Sequence, residues 1–342
     1  MKLIIPPPLT QEATIGFISP SAGLAPFAMH RIQRAIDYLE RLGYQVKLGK
    51  HSLQNNGYVS ASVDERIDDI HCMFADPSVK MILATIGGNH CNQLISKLDY
   101  NLIRHHPKIF VGYSDLTVLH YAIQSQAGLS TYYGPCAMTQ FGEFPKPLEY
   151  TVKNFFAMTS DTKVLGKYLD IYSSHFWTDE VLDWFKNEDS LRPRKLKKNK
   201  GFEWLRRGKA HGLLLGGAIP SIHHLAGTQY WIDCKNNIFF IDIPEGNNLY
   251  EGLSIGSVDA YLADLYNLGV FQSISGLIIG RPYRYSEKDY ESLKKIIEKY
   301  TFEFNFPILF NVDLGHTDPM TTIRYGSEAC MDSTKNFLSM TR

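Results

Sequence analysis

The sequence has few cysteines, and their spacing excludes two classes of scaffold. Only five occur in 342 residues, and no two of them form a CxxC pair. Neither a disulfide framework nor a zinc knuckle is therefore indicated. We interpret the five as small buried residues of a protein in a reducing compartment: Cys72, Cys91, Cys136, Cys234 and Cys330.

Net charge and long apolar runs are also absent. Thirty-five basic residues balance thirty-five acidic ones, and the isoelectric point is about 7.2. This balance excludes a nucleic-acid binder or a polybasic membrane-surface protein that relies on bulk charge. No run approaches the roughly 18 apolar residues of a membrane span, and three prolines interrupt residues 1–9, unlike a signal peptide. We expect a cytoplasmic protein with no nucleic-acid or membrane partner.

The glycine motifs of nucleotide-binding enzymes are missing too. Neither GxGxxG nor GxxxxGK[ST] occurs, so dinucleotide and nucleoside-triphosphate chemistry have no motif support. The chain is instead rich in what builds a core, with 44% hydrophobic and 13% aromatic residues. At roughly 150 residues per domain, this length indicates about two domains or one large α/β unit.

The first half of the chain alternates short apolar runs with helical periodicity. Alternating βα units of this length predict a parallel sheet with helices on both faces. The predicted strands span residues 14–19, 45–48, 81–86 and 109–112, and the predicted helices span about 32–42, 63–74, 91–98 and 116–126. Ligands bind beyond the carboxyl ends of such strands, which directs attention to residues 20–23, 87–90 and 113–115.

The pattern changes after about residue 143. Residues 160–210 have little periodicity and include a basic tract at 192–209, which indicates a long excursion between two domains. Beyond it we predict strands at 238–243, 277–280 and 308–312, and helices at 257–268 and 290–300. We therefore divide the chain into an N-terminal domain at 1–160, a connecting segment at 161–210 and a C-terminal domain at 211–342.

Ser114 is the leading candidate for a nucleophile. It lies between a buried-looking strand and a helix, in the sequence GYSDLT rather than GxSxG. A strand–turn–helix corner of this kind is typical of a nucleophile elbow, where free N–H groups of the helix can stabilise an oxyanion. The alternative is that Ser114 or Asp115 only caps the helix.

A serine nucleophile needs a base, and His316 is the most suggestive of the twelve histidines. It lies in a polar loop directly after the predicted strand at 308–312, where an imidazole is accessible. We interpret four others as ordinary surface or hydrogen-bonded residues: His105, His106, His223 and His224.

The base in turn needs a carboxylate to fix its tautomer. Asp242 and Glu245 both follow the apolar run IFFI, and the residues alone do not separate an orienting acid from a loop-capping group. Asp264 and Asp313 are weaker alternatives. The pair Gly87 and Gly88 offers a second oxyanion donor, because glycines let backbone N–H groups approach a substrate closely.

Eight stretches together resemble the LD-carboxypeptidase family of serine peptidases (family S66), particularly its microcin C self-immunity branch. They occur in the family's order and span most of the chain, and the IGG-N-H-C-N-Q-L and GYSD-x-T blocks are the specific ones. The stretches are SPSAG at 19–23, ATIGGNHCNQLISKLDY at 84–100, KIFVGYSDLT at 108–117, TYYGPCAMTQFGE at 131–143, GLLLGGAIPSI at 212–222, IFFIDIPEG at 238–246, GLIIGRPY at 276–283 and GHTDPMTTIRYG at 315–326.

The resemblance implies roles for individual residues. Ser114 would be the nucleophile and His316 the general base, with the backbone N–H groups of Gly88 and Asp115 as oxyanion donors. The family's acid is a glutamate, and Asp242 stands in its place here. A shorter carboxylate can still orient histidine, although Glu245 is close enough in sequence to substitute for it.

The resemblance also implies a fold and an assembly. The family has an N-terminal Rossmann-like α/β domain with the serine, a smaller C-terminal α/β domain with the acid and the histidine, and an active site in the cleft between them. Its members use no metal or other cofactor, and many are cytoplasmic homodimers. We expect the same of this chain.

Two activities divide the family, namely removal of D-alanine from murein tetrapeptides and hydrolysis of an amide between an acidic amino acid and a nucleotide-like group. The long segment at 160–210 favours the second, because that branch has a tryptophan there that stacks on the purine, and Trp184 matches it. We expect Gly87 and Asn89 to bind substrate as well, and Arg192 and Arg194 to meet a phosphate.

Alternatives without a functional role remain for that segment and for the chain as a whole. A basic tract is usually a solvated face, and a loop tryptophan is usually a packing anchor. Because Asp242 stands where the family has a glutamate, a second hypothesis is that the chain is a catalytically silent, ligand-binding relative of the family.

Overall fold

The computed structural model of the chain describes residues 3–161 and 166–342. Its strands are β1 Thr14–Ile18, β2 Gln45–Leu48, β3 Val79–Ala84, β4 Ile109–Gly112, β5 Tyr132–Tyr133, β6 Tyr168–Ile171, β7 Phe176–Trp177, β8 Lys197–Lys198, β9 Glu203–Arg206, β10 Lys209–Ala218, β11 Ile238–Asp242, β12 Gly276–Gly280, β13 Ile308–Val312, β14 Ile323–Arg324, β15 Glu328–Asp332 and β16 Phe337–Thr341. Its α-helices are α1 Met29–Arg41, α2 Val63–Ala75, α3 Tyr100–His105, α4 Leu116–Ala122, α5 Glu149–Thr159, α6 Ile219–His223, α7 Ile255–Asn267, α8 Val270–Ser273 and α9 Glu287–Thr301.

The first sheet has the order β14-β5-β4-β3-β1-β2 and is parallel except for β14. Strands β1 and β4 are buried along their whole length, as expected for strands covered by helices on both faces. The predicted parallel α/β arrangement is confirmed. The four strands predicted for it lie within two residues of their expected bounds.

The second sheet has the order β6-β16-β15-β10-β11-β12-β13-β9. Strands β10 to β13 run parallel in its centre, and antiparallel strands flank them on both sides. Its outermost strands, β6 and β9, both come from the segment predicted as a connection, so that segment also builds this sheet. Residues 162–165 of the segment lie outside the described residues.

One helix prediction is wrong. Residues 91–98 form no α-helix but a single 3-10 turn, Cys91–Gln93, followed by further turns. The α-helix begins later, at Tyr100, because the Asp99 side chain accepts the backbone N–H of Leu102 and caps it. The helix predicted to reach residue 126 ends as α4 at Ala122 and continues as a π-helical turn. Among the described helices, none has both the length and the apolar character needed to cross a bilayer.

The two sheets are joined near the carboxyl ends of their parallel strands. After β13 of the second sheet, the chain crosses over and forms β14 of the first sheet, where Ile323 pairs with Tyr133 of β5. A second link joins α4 to the end of β10, where the backbone N–H of Ala218 donates to Thr117 Oγ1 at 3.1 Å. The loops that follow β4, β11 and β13 therefore meet in one place.

Candidate active site

The turn that holds Ser114 has a strained backbone. Ser114 has a φ of +64°, in the left-handed region that side chains other than glycine rarely adopt. The carbonyl of Ser114 accepts the N–H of Thr117 at 3.0 Å and its hydroxyl at 2.7 Å, which holds the turn against α4. Neither Ser114 nor Asp115 caps the helix with its side chain. Asp115 occupies the N-cap position of α4 without a side-chain capping bond, and the predicted strand–turn–helix corner is present.

Asp115 holds the glycine loop against this turn. Its side chain is fully buried, and Oδ2 accepts hydrogen bonds from the Ser21 hydroxyl at 2.7 Å and from the backbone N–H groups of His90 and Cys91 at 2.8 Å each. A buried carboxylate needs such donors, because an unpaired one would be costly. The loop at 87–91 is thereby fixed beside the serine.

Gly87 and Gly88 must be glycines because their backbone lies very close to neighbouring side chains. A Cβ at Gly87 would lie 2.9 Å from Ser114 Cβ, and one at Gly88, where φ is +151°, would lie 2.5 Å from Ser21 Oγ. The backbone N–H groups of Gly88 and Asp115 donate no hydrogen bond to any other residue among those described. Two unengaged donors beside a hydroxyl are the arrangement that an oxyanion hole needs. Asn89, in the same loop, is exposed to solvent.

His316 lies in the loop after β13, and its ring contacts residues at the ends of strands from both sheets. Its Nδ1 is 2.7 Å from Asp242 Oδ2, and its backbone N–H donates to Asp242 Oδ1 at 3.3 Å. The imidazole packs edge-on against Tyr113, with ring centroids 4.9 Å apart. Since Tyr113 directly precedes Ser114, the histidine ring lies next to the serine turn.

Gly315 lets the histidine loop approach Asp242 closely. A Cβ at this position would lie 1.9 Å from Asp242 Oδ1, and the residue has a φ of +86°. Only glycine can bring the backbone so close to a carboxylate. The main chain of the histidine loop thus lies against Asp242, which ends β11 and is fully buried.

Glu245 contacts the other nitrogen of the ring. Its Oε2 is 3.5 Å from His316 Nε2, and its side chain is 32% exposed, whereas that of Asp242 is completely buried. Burial lowers the pKa of His316, but the negative charges of Asp242 and Glu245 outweigh this effect and raise it to about 9. The two carboxylates therefore favour the imidazolium form of the ring.

A single hydroxyl connects the serine turn to the acid. Tyr133 accepts the backbone N–H of Ser114 at 3.2 Å and donates its own proton to Asp242 Oδ2. No hydrogen bond joins Ser114 Oγ to His316 Nε2, and this buried nitrogen has no hydrogen-bond partner among the described residues. Catalytic hydrogen bonds are often formed only when substrate closes the site.

The weaker alternatives lie elsewhere in the fold. Asp313 forms a buried ion pair with Arg281 at 2.7 Å, and Asp264 is exposed, 3.7 Å from the His223 ring. His105 hydrogen-bonds a carbonyl of its own helix. None of these side chains contacts His316 or the serine turn.

Trp184 packs against the N-terminal part of the chain, beside α1. It packs against a small buried cluster that includes Met138, and Ile86, which precedes Gly87, packs against the same cluster. The guanidinium of Arg31 lies 4.1 Å above its ring. The tryptophan is thereby held in a fixed orientation while it remains partly exposed.

The two arginines expected to meet a phosphate already have partners. Arg192 makes two hydrogen bonds of 2.9 Å to Glu180. Arg194 pairs with Glu143 at 2.8 Å and with Asp318 at 2.7 Å. Both side chains thus stabilise the loop that contains Trp184.

Three residues of the site were missed in the sequence: Ser21, Tyr133 and Gly315. Each lies inside a stretch that carries the resemblance, which is the only signal that could have found them. Their roles depend on contacts with residues more than 70 positions away.

Comparison with known proteins agrees with this architecture. The family model of the LD-carboxypeptidase N-terminal domain matches residues 15–134, and that of the LD-carboxypeptidase C-terminal domain matches residues 211–331. The microcin C7 self-immunity protein MccF of Escherichia coli is 30% identical over 340 residues, which cover 98% of this chain and 94% of that protein.

Two further similarities extend the comparison. A probable murein peptide carboxypeptidase of Bacillus subtilis is 31% identical over 333 residues, covering 96% of this chain and 91% of that protein. The structure of MccF in complex with glutamyl sulfamoyl guanosine superposes with a TM-score of 0.89 at 29% identity, covering 100% of this chain and 99% of that one. The chain therefore belongs to the MccF-like members of the LD-carboxypeptidase family, peptidase family S66, and is a hydrolase of the LD-carboxypeptidase type.

Proposed function

We propose that the chain cleaves an amide bond by serine acyl transfer, with Ser114 as nucleophile, His316 as general base and Asp242 as the orienting acid. The observation that carries this proposal is the position of His316, whose Nδ1 is held by Asp242 while its ring packs beside the serine turn. This leaves Nε2 as the nitrogen that serves the serine.

Each step of the reaction has a group to perform it. His316 Nε2 accepts the Ser114 proton as Oγ attacks the scissile carbonyl, and the N–H groups of Gly88 and Asp115 hold the negative oxygen. The imidazolium then gives this proton to the leaving nitrogen, and the C–N bond breaks to leave an ester on Ser114. Water, deprotonated by His316, attacks the ester; the acyl–Oγ bond breaks, the imidazolium returns its proton to Ser114 Oγ, and the acyl group leaves as a carboxylic acid.

Asp242 rather than Glu245 is assigned as the acid, for two reasons. It is fully buried and bonds both the ring and the backbone of His316, as an orienting group must. Glu245 is partly exposed and faces Nε2, the nitrogen that exchanges protons with substrate. Its charge favours the imidazolium, so substrate has to displace or screen it.

For the substrate we propose an acidic amino acid joined through an amide to a nucleotide-like group. Support comes from the similarity to MccF, whose structure contains glutamyl sulfamoyl guanosine, and from Trp184, which is held by Arg31 and remains partly exposed. Stacking of a base on indole contributes about 1–3 kcal/mol. Gly87 and Asn89 complete this binding region. The second candidate is an L,D-murein peptide, favoured by the murein peptide carboxypeptidase of Bacillus subtilis among the relatives.

The substrate proposal is tested by comparing rates on two compounds. Purified protein is incubated with an L,D-tetrapeptide and with aspartyl sulfamoyl adenosine, and release of the amino acid is measured. We expect faster turnover of the adenosine compound. Faster turnover of the tetrapeptide would overturn this choice, and no turnover of either would favour a catalytically silent relative.

Removing the indole should separate the two substrates. Trp184→Ala should lower kcat/KM about 10-fold or more on the adenosine compound, through the lost stacking energy, and far less on the tetrapeptide. Phe185→Ala, at an exposed neighbour in the same loop, is the matched control. Equal losses on both substrates would mean that Trp184 only packs the loop.

The remaining expectations belong to this proposal. We place the enzyme in the cytoplasm as a homodimer. Each chain is divided into an N-terminal domain at 1–160, a connecting segment at 161–210 and a C-terminal domain at 211–342. We expect the enzyme to confer resistance to toxic aminoacyl-nucleotide antibiotics. Sedimentation of the purified protein at several concentrations tests the dimer, and growth of cells with and without the gene on such an antibiotic tests the resistance.

A further inference from the structure

We propose that Tyr133 is a positioning residue of the catalytic site, whose hydroxyl couples the serine turn to the acid. Its oxygen accepts the Ser114 backbone N–H, and its proton goes to Asp242 Oδ2. This inference rests on the proposed function, because it concerns how Ser114 and Asp242 are held for acyl transfer.

The proton count fixes the direction of the two hydrogen bonds. A backbone N–H can only donate, so the hydroxyl oxygen must accept from Ser114, and its single proton is left for the carboxylate. Burial, followed by the charge of Asp242, raises the pKa of Tyr133 well above its usual value, which keeps the hydroxyl protonated. The tyrosine therefore acts as a donor to Asp242 throughout the neutral range.

The ring cannot turn away from this position. Tyr133 is fully buried in β5, whose neighbours are β4 on one side, through Gly112, and β14 on the other, through Ile323. Phe240 packs edge-on against its ring at a centroid distance of 5.3 Å. Tyr133 is therefore held between β4, the strand before Ser114, and β14, the strand after His316.

The two hydrogen bonds have separate consequences. The bond to Ser114 secures a backbone conformation that is strained for a serine, with φ at +64°. The bond to Asp242 places a second donor on Oδ2, the oxygen that also accepts from His316 Nδ1. It fixes the carboxylate and withdraws part of its charge from the imidazole, which tempers the rise of the histidine pKa.

The test is Tyr133→Phe, which removes the hydroxyl and keeps the ring. Loss of hydrogen bonds to a charged group and to the nucleophile turn should lower kcat about 10- to 100-fold, with KM within about 2-fold. The acid limb of the pH–rate profile should move to higher pH, because Asp242 then stabilises the imidazolium more strongly. In an Asp242→Asn background the substitution should no longer move the acid limb, because the carboxylate charge is gone, and its effect on kcat should shrink to the part that acts through the Ser114 N–H.

Two tyrosines of the same region serve as controls. Tyr132→Phe alters the adjacent residue of the same strand, and Tyr325→Phe removes a buried hydroxyl that bonds the Gly216 carbonyl at 2.8 Å. Both should keep the wild-type pH profile, whatever they cost in thermal stability. An unshifted profile in Tyr133→Phe, or the same kcat loss in Tyr325→Phe, would overturn the inference.

Two further arms remove ambiguity. If Tyr133→Phe does not fold, 3-fluorotyrosine at position 133 keeps the ring and makes the hydroxyl a stronger donor, so the acid limb should move to lower pH; no shift would overturn the inference. Ser114→Ala, measured in parallel, tests the proposed function itself. If it is inactive while Tyr133→Phe behaves as wild type, only the present inference fails; if it is active, the proposed function fails.

Discussion

The serine turn and the histidine loop are built in different ways, although both follow a buried parallel strand. The serine turn is fixed mainly by nearby residues, since Thr117 bonds the Ser114 carbonyl three residues away and Tyr133 bonds its N–H from 19 residues away. The loop at 313–322 is fixed by distant residues, since His316 bonds Asp242 across 74 positions and Asp313 bonds Ser174 across 139. One half of the site is therefore local and the other is assembled by the fold.

This difference has consequences for mutation. Replacing the Ser114 side chain should affect chemistry and leave the fold intact, because its hydroxyl makes no hydrogen bond within the described residues. A change in the assembled loop should affect chemistry and stability together, because the same contacts that aim the histidine also join the two sheets.

The largest effect is expected at the local turn. Ser114→Ala removes the attacking oxygen and should lower kcat about 10⁴-fold or more. The thermal unfolding midpoint should stay at the wild-type value, because the hydroxyl of Ser114 makes no hydrogen bond within the described residues. Kinetics and thermal denaturation of the same preparation check both parts. A large loss of stability would contradict the local character of the turn.

A smaller loss of activity, combined with destabilisation, is expected in the assembled loop. Gly315→Ala places a methyl group 1.9 Å from Asp242 Oδ1, so the loop must move away from the acid. We expect kcat to fall about 100-fold and the free energy of unfolding to fall by about 2 kcal/mol or more. Both are measured by kinetics and urea denaturation.

The control for Gly315→Ala is Gly269→Ala. Gly269 has a similar φ of +76°, and a methyl group there would meet only Gln272 Oε1, at an ordinary contact distance of 3.9 Å. It should lose only the stability that a left-handed alanine costs and keep full activity. If the two variants behave alike, close approach to Asp242 is not what position 315 requires.

The smallest effect is expected for the second carboxylate. Glu245→Gln removes a negative charge that raises the pKa of His316, so this pKa should fall below about 9. The acid limb of kcat/KM, which reports the free enzyme, should move to lower pH, because the neutral imidazole is then present at lower pH. A pH–rate profile measures the shift. A loss of activity at all pH values would instead identify Glu245 as the orienting acid.

The same contrast explains what could be predicted from the sequence. Ser114 can be proposed as a nucleophile from the sequence because a strand, a turn and a helix follow one another in consecutive residues around it. The parallel first sheet was predicted for the same reason, since its strands are short apolar runs between helical patterns. These features depend on local periodicity and turn chemistry.

What was missed depends on contacts between distant segments. Asp242 and Glu245 lie three residues apart and both reach His316, one at each ring nitrogen, so only the fold distinguishes them. The sheet edges contributed by residues 168–171 and 203–206 have no strong pattern, because edge strands are short and partly exposed. Tyr133 resembles any buried strand residue until its two partners are known.

The most direct test of the site is covalent labelling by a serine-directed fluorophosphonate, compared between the wild type and His316→Gln. Mass spectrometry of the digested protein should find the adduct on the peptide that contains Ser114. The labelling rate should be at least about 100-fold lower in the variant, since His316 provides the base that activates the hydroxyl. An adduct on another residue, or equal rates in the two proteins, would contradict a site in which this serine and this histidine act together.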